Sequence, residues 1–215
     1  MYLLFDLDGT LTDSFPGISR CINHALTELG RDPVPDTHVR TAVGLPLATI
    51  FGTLLGTADT DLIDRAVGAY RARFDRIGIF ENSLYPGIVS ALEMFQQSGH
   101  SLGVVTVKPA PVARRVVSHF GIQHYFTAIH GPEVLDRTCN KGDLLDAALN
   151  GLDRAQAVMI GDRVDDVMAA KDNGVRAVAA GWGYSSAGEL KAANPDFFAE
   201  TVSCLVTWVQ TSGNH

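Results

Sequence analysis

Short, mostly apolar runs alternate with amphipathic stretches along most of this 215-residue chain. Such runs are typical of buried strands, and they occur at residues 2–5, 102–107, 126–129, 157–160, 175–179 and 196–198. Between them, apolar residues recur at helical spacing, which predicts helices at residues 88–97, 109–120, 141–149, 165–173 and 202–210. Strands that alternate with helices predict an α/β fold, a doubly wound parallel sheet with helices on both faces.

The stretch from residue 15 to residue 81 breaks this alternation because it shows only helical spacing. Its last part carries an apolar stripe at spacings of three and four, which is one face of a helix: Ile63, Val67, Tyr70, Phe74 and Ile77. The stretch separates the first and second predicted strands, so it predicts a small helical cap domain inserted into the sheet domain. We therefore expect a core domain of residues 1–14 and 82–215 and a cap of residues 15–81.

Composition narrows the class of partner. The formal net charge is −7 and no run of Lys or Arg occurs, which argues against nucleic acid or an anionic membrane. No apolar run reaches the roughly 20 residues of a membrane span, and the chain opens directly on a predicted strand, without a secretory signal. The three cysteines form no Cys-x-x-Cys pair. Reduced thiols of this kind favour a cytoplasmic protein.

Two carboxylates follow the first predicted strand, Asp6 and Asp8, and Gly9 and Thr10 come directly after them. Side chains two residues apart share one face of an extended strand, and open α/β sheets build their sites at the carboxyl ends of strands. Close carboxylates repel unless a cation or a proton intervenes. The pair therefore suits either Mg²⁺ binding or a nucleophile with a general acid/base, although Asp/Gly turns at strand ends are also common. Gly9 would let backbone N–H groups approach an anion.

Polar residues also follow later predicted elements. Thr106 lies at the end of the second strand and Lys141 opens a helix; each alone is typical of an ordinary strand or surface residue. Asp162 and Asp166 follow the strand at residues 157–160 and are four residues apart, so they would share one face at a helix start. Acidic residues in a first helical turn also complement the helix dipole. We interpret Asp165 as the capping residue of this helix.

In this order the segments resemble the four motifs of the haloacid dehalogenase (HAD) superfamily. They are Asp6-Leu-Asp-Gly-Thr-Leu-Thr-Asp13, then Thr106, then Lys141, and finally Gly161-Asp-Arg-Val-Asp-Asp166. The helical insertion stands where that family has its small cap. Ser83-Leu-Tyr-Pro-Gly87 is similar to a hinge of the phosphoglycolate-phosphatase-like branch, and Gly181-Trp-Gly-Tyr-Ser185 looks like members of that branch and 5′-nucleotidases. The branch usually has Thr-Asn-Lys at the second motif, whereas this chain has Val107 between Thr106 and Lys108.

The resemblance implies a Mg²⁺-dependent phosphomonoester hydrolase that works through an aspartyl-phosphate. It makes Asp6 the nucleophile and Asp8 the general acid/base, with Thr106 and Lys141 balancing the charge of the phosphate. The implied Mg²⁺ ligands are Asp6, the backbone carbonyl of Asp8, Asp162 and Asp166. The phosphate and substrate contacts that we expect are Gly9, Thr10, Val107, Lys108, Arg20 and Gly44.

The implied substrate is a small phosphorylated metabolite, and the resemblance is strongest to phosphoglycolate phosphatases. Two alternatives stay open: a 5′-nucleotidase-like phosphatase of nucleoside monophosphates, and a β-phosphoglucomutase-like phosphomutase. We expect no nucleic-acid or membrane partner, and a monomer or homodimer.

Overall fold

The computed structural model describes residues 1–40, 42–43, 45–133 and 139–212. Its helices and strands, in chain order, are β1 (Tyr2–Phe5), β2 (Thr12–Asp13), α1 (Phe15–Glu28), α2 (Asp36–Arg40), α3 (Leu47–Leu55), α4 (Thr60–Phe74), β3 (Ser83–Leu84), α5 (Ile88–Gln97), β4 (Ser101–Val105), α6 (Ala110–His119), β5 (Phe126–His130), α7 (Lys141–Ala148), β6 (Ala157–Gly161), α8 (Val164–Asp172), β7 (Arg176–Ala180), α9 (Ala187–Ala192), β8 (Phe197–Ala199) and α10 (Val202–Ser212). The chain divides into two compact units: one is Met1–Asp13 with the chain from Leu84 onward, and the other is Ser14–Ser83.

The larger unit is built on a six-stranded sheet in the order β5-β4-β1-β6-β7-β8. All its neighbouring strands are parallel, with Tyr2 opposite Ser101 on one side and Ala157 on the other. Helices follow β4, β5, β6 and β7 in the chain and connect the parallel strands. The predicted parallel α/β sheet is therefore confirmed. Because β1 lies between β4 and β6, the segments that leave the carboxyl ends of these three strands emerge side by side.

The centre of the sheet forms where the sequence is most apolar. Leu3, Leu4 and Phe5 of β1 are buried, and every residue of β6 is buried as well. The Phe5 ring stacks on Phe95 of α5 with 6.3 Å between the ring centroids. Each fully buried side chain of this size stabilises the fold by about 1.5–3 kcal/mol, so β1 is held firmly at the point where the first motif begins.

The strand before the second motif ends earlier than predicted. We expected a strand at residues 102–107, but β4 ends at Val105. The Thr106 N–H still donates to the carbonyl oxygen of His130 at 3.0 Å. The Thr106 hydroxyl oxygen then accepts the N–H of Lys108 at 3.2 Å, a local bond that turns the chain away from the sheet. Residues 106–108 therefore form a loop before α6.

The sequence analysis also missed one helix, α9. Its N-cap is Ser186, whose hydroxyl oxygen accepts the N–H of Glu189, while the Glu189 carboxylate accepts the N–H of Ser186. This reciprocal pair is a capping box, and Ser-x-x-Glu is its sequence signature. The signal was thus present in the chain.

The smaller unit, Ser14–Ser83, contains α1–α4 and a 3-10 turn at Gly78–Phe80. α1 packs against α4, and Asp59 caps α4 by accepting the N–H groups of Asp61 and Leu62. A Cβ on Gly17 would lie 2.3 Å from the carbonyl oxygen of Gly78, so glycine permits close approach of the two backbones here.

Across the described residues, each helix is too short or too polar to span a lipid bilayer.

Candidate active site

Three buried carboxylates meet at the carboxyl edge of the sheet. Asp6 directly follows β1, Asp162 directly follows β6, and Asp166 lies in the first turn of α8. Each side chain offers one oxygen atom, and these atoms lie within 4.8 Å of one another. Oxygen ligands in such a cluster are those that Mg²⁺ and similar hard cations prefer. The structure therefore brings together three of the residues that the sequence analysis selected as metal ligands.

Lys141 lies between two of these carboxylates. Its Nζ atom is 2.7 Å from Asp6 Oδ1 and 2.7 Å from Asp166 Oδ1, and the side chain is 7% exposed. Lys141 begins α7, where Asn140 caps the helix by accepting the N–H of Asp143 at 2.9 Å. The first turn of α7 therefore directs the ammonium group into the cluster. This positive charge therefore pairs with two of the three carboxylates.

Burial and the neighbouring charges shift the pKa values of these side chains. Burial raises the pKa of Asp162 to about 8, and the charges of Asp6 and Asp166 add to the rise. Burial also raises the pKa of Asp6 to about 6, although Lys141 opposes it. Burial alone would lower the pKa of Lys141, but Asp166 and Asp6 hold it above its ordinary value. Without a further cation, Asp162 therefore keeps at neutral pH a proton that an isolated carboxyl group would have lost.

Hydrogen bonds fix the two carboxylates that come from the β6–α8 segment. Asp162 Oδ1 accepts the hydroxyl of Thr10 at 3.2 Å, and Asp162 Oδ2 accepts the N–H of Tyr184 at 2.7 Å. Asp166 Oδ2 accepts the N–H of Arg163 at 3.0 Å. The capping role that we assigned to Asp165 was therefore wrong. Asp166 is at the third helical position, from which a side chain reaches back to the N-cap N–H.

Asp8 is directed to a different partner. Its Oδ2 atom forms an ion pair with Lys108 Nζ at 2.5 Å. Its Oδ1 atom is buried and has no hydrogen-bond partner among the described residues. An unpaired buried acceptor is costly, so Oδ1 is suited to hold a proton or to meet an incoming polar group. The side chain lies outside the three-carboxylate cluster. The predicted metal contact of Asp8, through its carbonyl oxygen, stays a prediction.

The turn after Asp8 is tightly packed around Asp162. Gly9 has φ +89°, and a Cβ there would lie 2.3 Å from Asp162 Oδ2. The Gly9 N–H donates to the carbonyl oxygen of Thr12 at 2.7 Å, and the Thr10 side chain is occupied by Asp162. We predicted that Gly9 and Thr10 contact phosphate. In the structure their contacts close the turn and hold Asp162; the phosphate contacts stay a prediction.

The remaining predicted residues come from three separate segments of the chain. Thr106 is buried in the loop after β4, and Val107 beside it is 41% exposed. Arg20, in the Ser14–Ser83 unit, pairs with Glu81 at 3.1 Å and its side chain is 59% exposed. Gly44 lies outside the described residues.

Sequence reasoning assigned no chemical role to the loop after β7, yet this loop contacts the cluster. Besides the Tyr184 N–H, the Trp182 indole N–H donates to the carbonyl oxygen of Thr10 at 3.0 Å. A Cβ on Gly183 would lie 2.2 Å from Asp162 Cβ. Two of these contacts involve backbone groups, the Tyr184 N–H and the carbonyl oxygen of Thr10. Residue type gives little signal for contacts of this kind.

Comparison with known proteins agrees with this geometry. A "5'-nucleotidase" of Pseudomonas aeruginosa is 37% identical over 205 residues, covering 94% of this chain and 92% of that protein. "Tyrosine-protein kinase PtkA" of Mycobacterium tuberculosis is 38% identical, covering 97% of this chain and 69% of that protein. A "Phosphoglycolate phosphatase" of Vibrio parahaemolyticus is 30% identical, with coverages of 98% and 96%.

Among solved structures, a predicted phosphatase from Clostridium acetobutylicum superposes with a TM-score of 0.90 at 32% identity, covering 98% of both chains. The model of the haloacid dehalogenase-like hydrolase family matches residues 3–180, a range that contains every cluster residue named above. The resemblance seen in the sequence is thereby confirmed. This chain belongs to the haloacid dehalogenase-like hydrolases.

Proposed function

We propose that this chain is a cation-dependent phosphomonoester hydrolase that acts on a small phosphorylated metabolite. The observation that carries the proposal is the charge balance of the buried cluster. Asp6, Asp162 and Asp166 lie within 4.8 Å of one another with one ammonium group, from Lys141. If all four groups are ionised, two negative charges are left uncompensated, so the cluster is suited to a divalent cation.

The residues present fit Mg²⁺. All three candidate ligands are carboxylates, and the repulsion among them, which contributes to the raised pKa values of Asp6 and Asp162, is what a divalent cation would relieve. Asp6, Asp162 and Asp166 would hold the ion. When bound, it would neutralise negative charge on the phosphate and on the nucleophile. A phosphate ester carries negative charge, so this acidic site needs added positive charge to accept it, and the cation would supply that charge. A phosphate ester is therefore the matching class of substrate.

In the proposed first step, a carboxylate oxygen of Asp6 attacks phosphorus, and the bond from phosphorus to the ester oxygen breaks. Lys141 already donates to Asp6 Oδ1 at 2.7 Å, which holds the nucleophile in one orientation. Asp8 delivers the proton that the leaving oxygen needs. That proton is held at Oδ1, because Oδ2 is engaged by Lys108. The products of this step are an alcohol and an acyl phosphate on Asp6.

In the second step, Asp8 accepts a proton from water, and the water oxygen attacks phosphorus. The bond between phosphorus and Asp6 breaks, inorganic phosphate leaves, and the Asp6 carboxylate is restored. Asp8 thus serves first as an acid and then as a base. Thr106 and Lys141 contribute fixed donors and charge, which dominate catalysis of phosphoryl transfer.

Substrate identity is the finer part of the proposal. The Pseudomonas aeruginosa relative carries the name 5'-nucleotidase and the Vibrio parahaemolyticus relative the name phosphoglycolate phosphatase, so nucleoside monophosphates and phosphoglycolate come first. Val107 stands where the phosphoglycolate branch usually has Asn, so nucleoside monophosphates have to be tested beside phosphoglycolate. Ser14–Ser83 is the proposed cap, and the substrate contacts predicted for Arg20 and Gly44 would belong to it.

The test is phosphate release from a panel of esters, with Mg²⁺ and with EDTA. The panel contains phosphoglycolate, nucleoside 5′-monophosphates, sugar phosphates and an aryl phosphate. Wild-type protein should release phosphate only with Mg²⁺, and the Asp6→Asn variant should release none. Asp165→Asn, which removes an exposed acid from the same site segment, should behave as wild type. Release that is undiminished in Asp6→Asn would overturn the proposed nucleophile.

Two rival acceptors of the phosphoryl group need their own readout. A phosphomutase would convert glucose 1-phosphate to an isomer without net release of phosphate. A relative named as a tyrosine-protein kinase makes transfer to a protein tyrosine the second rival. Incubation with labelled ATP and a tyrosine-containing protein would then yield labelled protein. If the isomer or the labelled protein forms in excess of free phosphate, the hydrolase proposal is wrong.

A further inference from the structure

The loop that follows β7, Gly181–Tyr184, touches the cluster without contributing a carboxylate to it. It leaves β7 at Ala180, and its first residue is anchored by a hydrogen bond from the Gly181 N–H to the carbonyl oxygen of Ala199 at 2.8 Å. A Cβ on Gly181 would lie 2.6 Å from the Phe198 ring. The neighbouring strand β8 therefore fixes where the loop starts.

From this anchor the loop reaches Asp162 in two ways. The Tyr184 N–H donates to Asp162 Oδ2 at 2.7 Å, a shorter bond than the one of 3.2 Å that Asp162 Oδ1 accepts from the Thr10 hydroxyl. Gly183 lies directly against the same side chain, since a Cβ there would be 2.2 Å from Asp162 Cβ and 2.5 Å from Asp162 Cγ. One contact orients a carboxylate oxygen, and the other limits where the stem of the side chain can lie.

The loop also holds the turn on the opposite side of Asp162. The Trp182 indole N–H donates to the carbonyl oxygen of Thr10 at 3.0 Å. A Cβ on Gly183 would lie 2.4 Å from the carbonyl oxygen of Gly9. Gly9 in turn leaves no room for a Cβ against the Asp162 carboxylate. Asp162 is thus enclosed between the first-motif turn and the loop after β7.

We infer that Gly183 and Tyr184 are positioning residues, which set the Asp162 carboxylate in the orientation that binds the cation. Gly183 acts through its close contact with Asp162, and Tyr184 acts through its backbone N–H. This inference rests on the proposed function, because it takes Asp162 as a cation ligand. A hydrogen bond to one lone pair of a carboxylate oxygen leaves another lone pair for a cation. Groups that orient a metal ligand in this way typically change metal affinity by about 10–100-fold when they are removed.

The chain offers a close pair of glycine substitutions for the test. In Gly183→Ala, the added methyl group would overlap Asp162 and the Gly9 carbonyl, so the carboxylate must move. In Gly188→Ala, in α9, the nearest atom to the added methyl group is Ser186 Oγ at 3.9 Å, and nothing has to move. Tyr184→Phe removes the hydroxyl group but keeps the N–H, so it isolates the backbone contact.

The measurement is the dissociation constant for Mn²⁺, a spectroscopic substitute for Mg²⁺, from the electron paramagnetic resonance signal of the free ion. We expect Gly183→Ala to weaken Mn²⁺ binding by about tenfold or more, and Gly188→Ala and Tyr184→Phe to match wild type within about twofold. Urea unfolding in EDTA identifies any variant that has lost its fold. If Gly183→Ala is unfolded, Trp182→Phe, which removes the indole N–H that holds the loop to Thr10, takes its place with an expected loss of about threefold to tenfold.

The outcomes separate the two proposals. If wild-type protein binds no Mn²⁺, the proposed cation site fails, and the positioning role fails with it. If wild type binds and the folded Gly183→Ala variant, or Trp182→Phe in its place, binds equally well, only the positioning role is overturned. Weaker binding in Gly188→Ala as well would also overturn it, since the loss would then not depend on contact with Asp162.

Discussion

Replacing Asp162 with Asn should make the cation-free protein less sensitive to alkaline pH. Asp162 is fully buried, and burial together with Asp6 and Asp166 raises its pKa to about 8, from an ordinary value of 3.8. Between these two values, the folded protein holds a proton that the unfolded chain has already released. The free energy of unfolding therefore falls as the pH rises through this window. The Asp162→Asn variant has no such proton to hold.

The size of the effect follows from the pKa difference. One pKa unit corresponds to about 1.4 kcal/mol, so between pH 5 and pH 8 the Asp162 carboxyl group should remove up to about 4 kcal/mol from the free energy of unfolding of the wild type. The variant loses one hydrogen bond, because an amide oxygen and an amide nitrogen cannot both accept from Thr10 and Tyr184. That loss costs about 1 kcal/mol at either pH, so it cancels in the comparison.

The assay is urea unfolding in EDTA at pH 5 and pH 8. Wild type, Asp162→Asn and the control Asp165→Asn are compared, the last being an exposed acid three residues further along the chain. The difference in unfolding free energy between the two pH values should be about 4 kcal/mol smaller in Asp162→Asn than in wild type, and unchanged in the control. Equal pH dependence in wild type and Asp162→Asn would refute the claim that Asp162 is held protonated by its surroundings.

Three further substitutions test the contacts around the cluster. Lys141→Met leaves its two carboxylate partners unpaired and should lower the free energy of unfolding at pH 8 by about 3 kcal/mol, measured in urea; an unchanged value would contradict the buried ion pair. Gly161→Ala would put a methyl group 2.1 Å from Asp166 Oδ2, and should cost about 1–3 kcal/mol by the same measurement, whereas wild-type stability would show that the carboxylate moves aside freely. Lys108→Met should lower kcat by roughly tenfold to a hundredfold by freeing Asp8, and less for an aryl phosphate than for an alkyl phosphate because an aryl leaving group needs less protonation. Equal losses on both esters would argue against Asp8 as the acid.

The parts of this structure that the sequence predicted are those that depend on residue type and spacing. The apolar run at Tyr2–Phe5 predicted a buried strand, and the acids after it predicted a site at its end. Asp162 could be grouped with Asp6 from the sequence alone because both follow apolar strands, and parallel strands end at one edge of a sheet. Asp166 joined them because it lies four residues after Asp162, on the same face of the helix start.

Other features depend on geometry that residue type does not encode. The N–H of Tyr184 is the same chemical group in every residue except proline, so no sequence pattern marked its bond to Asp162. Asp165 and Asp166 both lie in the first turn of α8, and neighbouring side chains point about 100° apart around a helix. The sequence alone did not show which of the two reaches back to the N-cap N–H. β4 ends early because the Thr106 hydroxyl group bonds within its own loop. The sequence did not reveal this, because a β-branched residue is equally typical of a strand.

The position of β1 in the sheet bears on how this protein is made. Its neighbours β4 and β6 begin at Ser101 and Ala157, opposite Tyr2, so the ribosome produces β1 about 100 residues before one partner and about 155 before the other. Pairing over such separations is slow because the intervening chain must first be ordered. During translation β1 has two open edges, and later one, and unpaired apolar strands of this kind are prone to aggregation. β1 therefore gains its second neighbour in the sheet only when residues 157–161 have emerged, and the three carboxylates can meet only after that point.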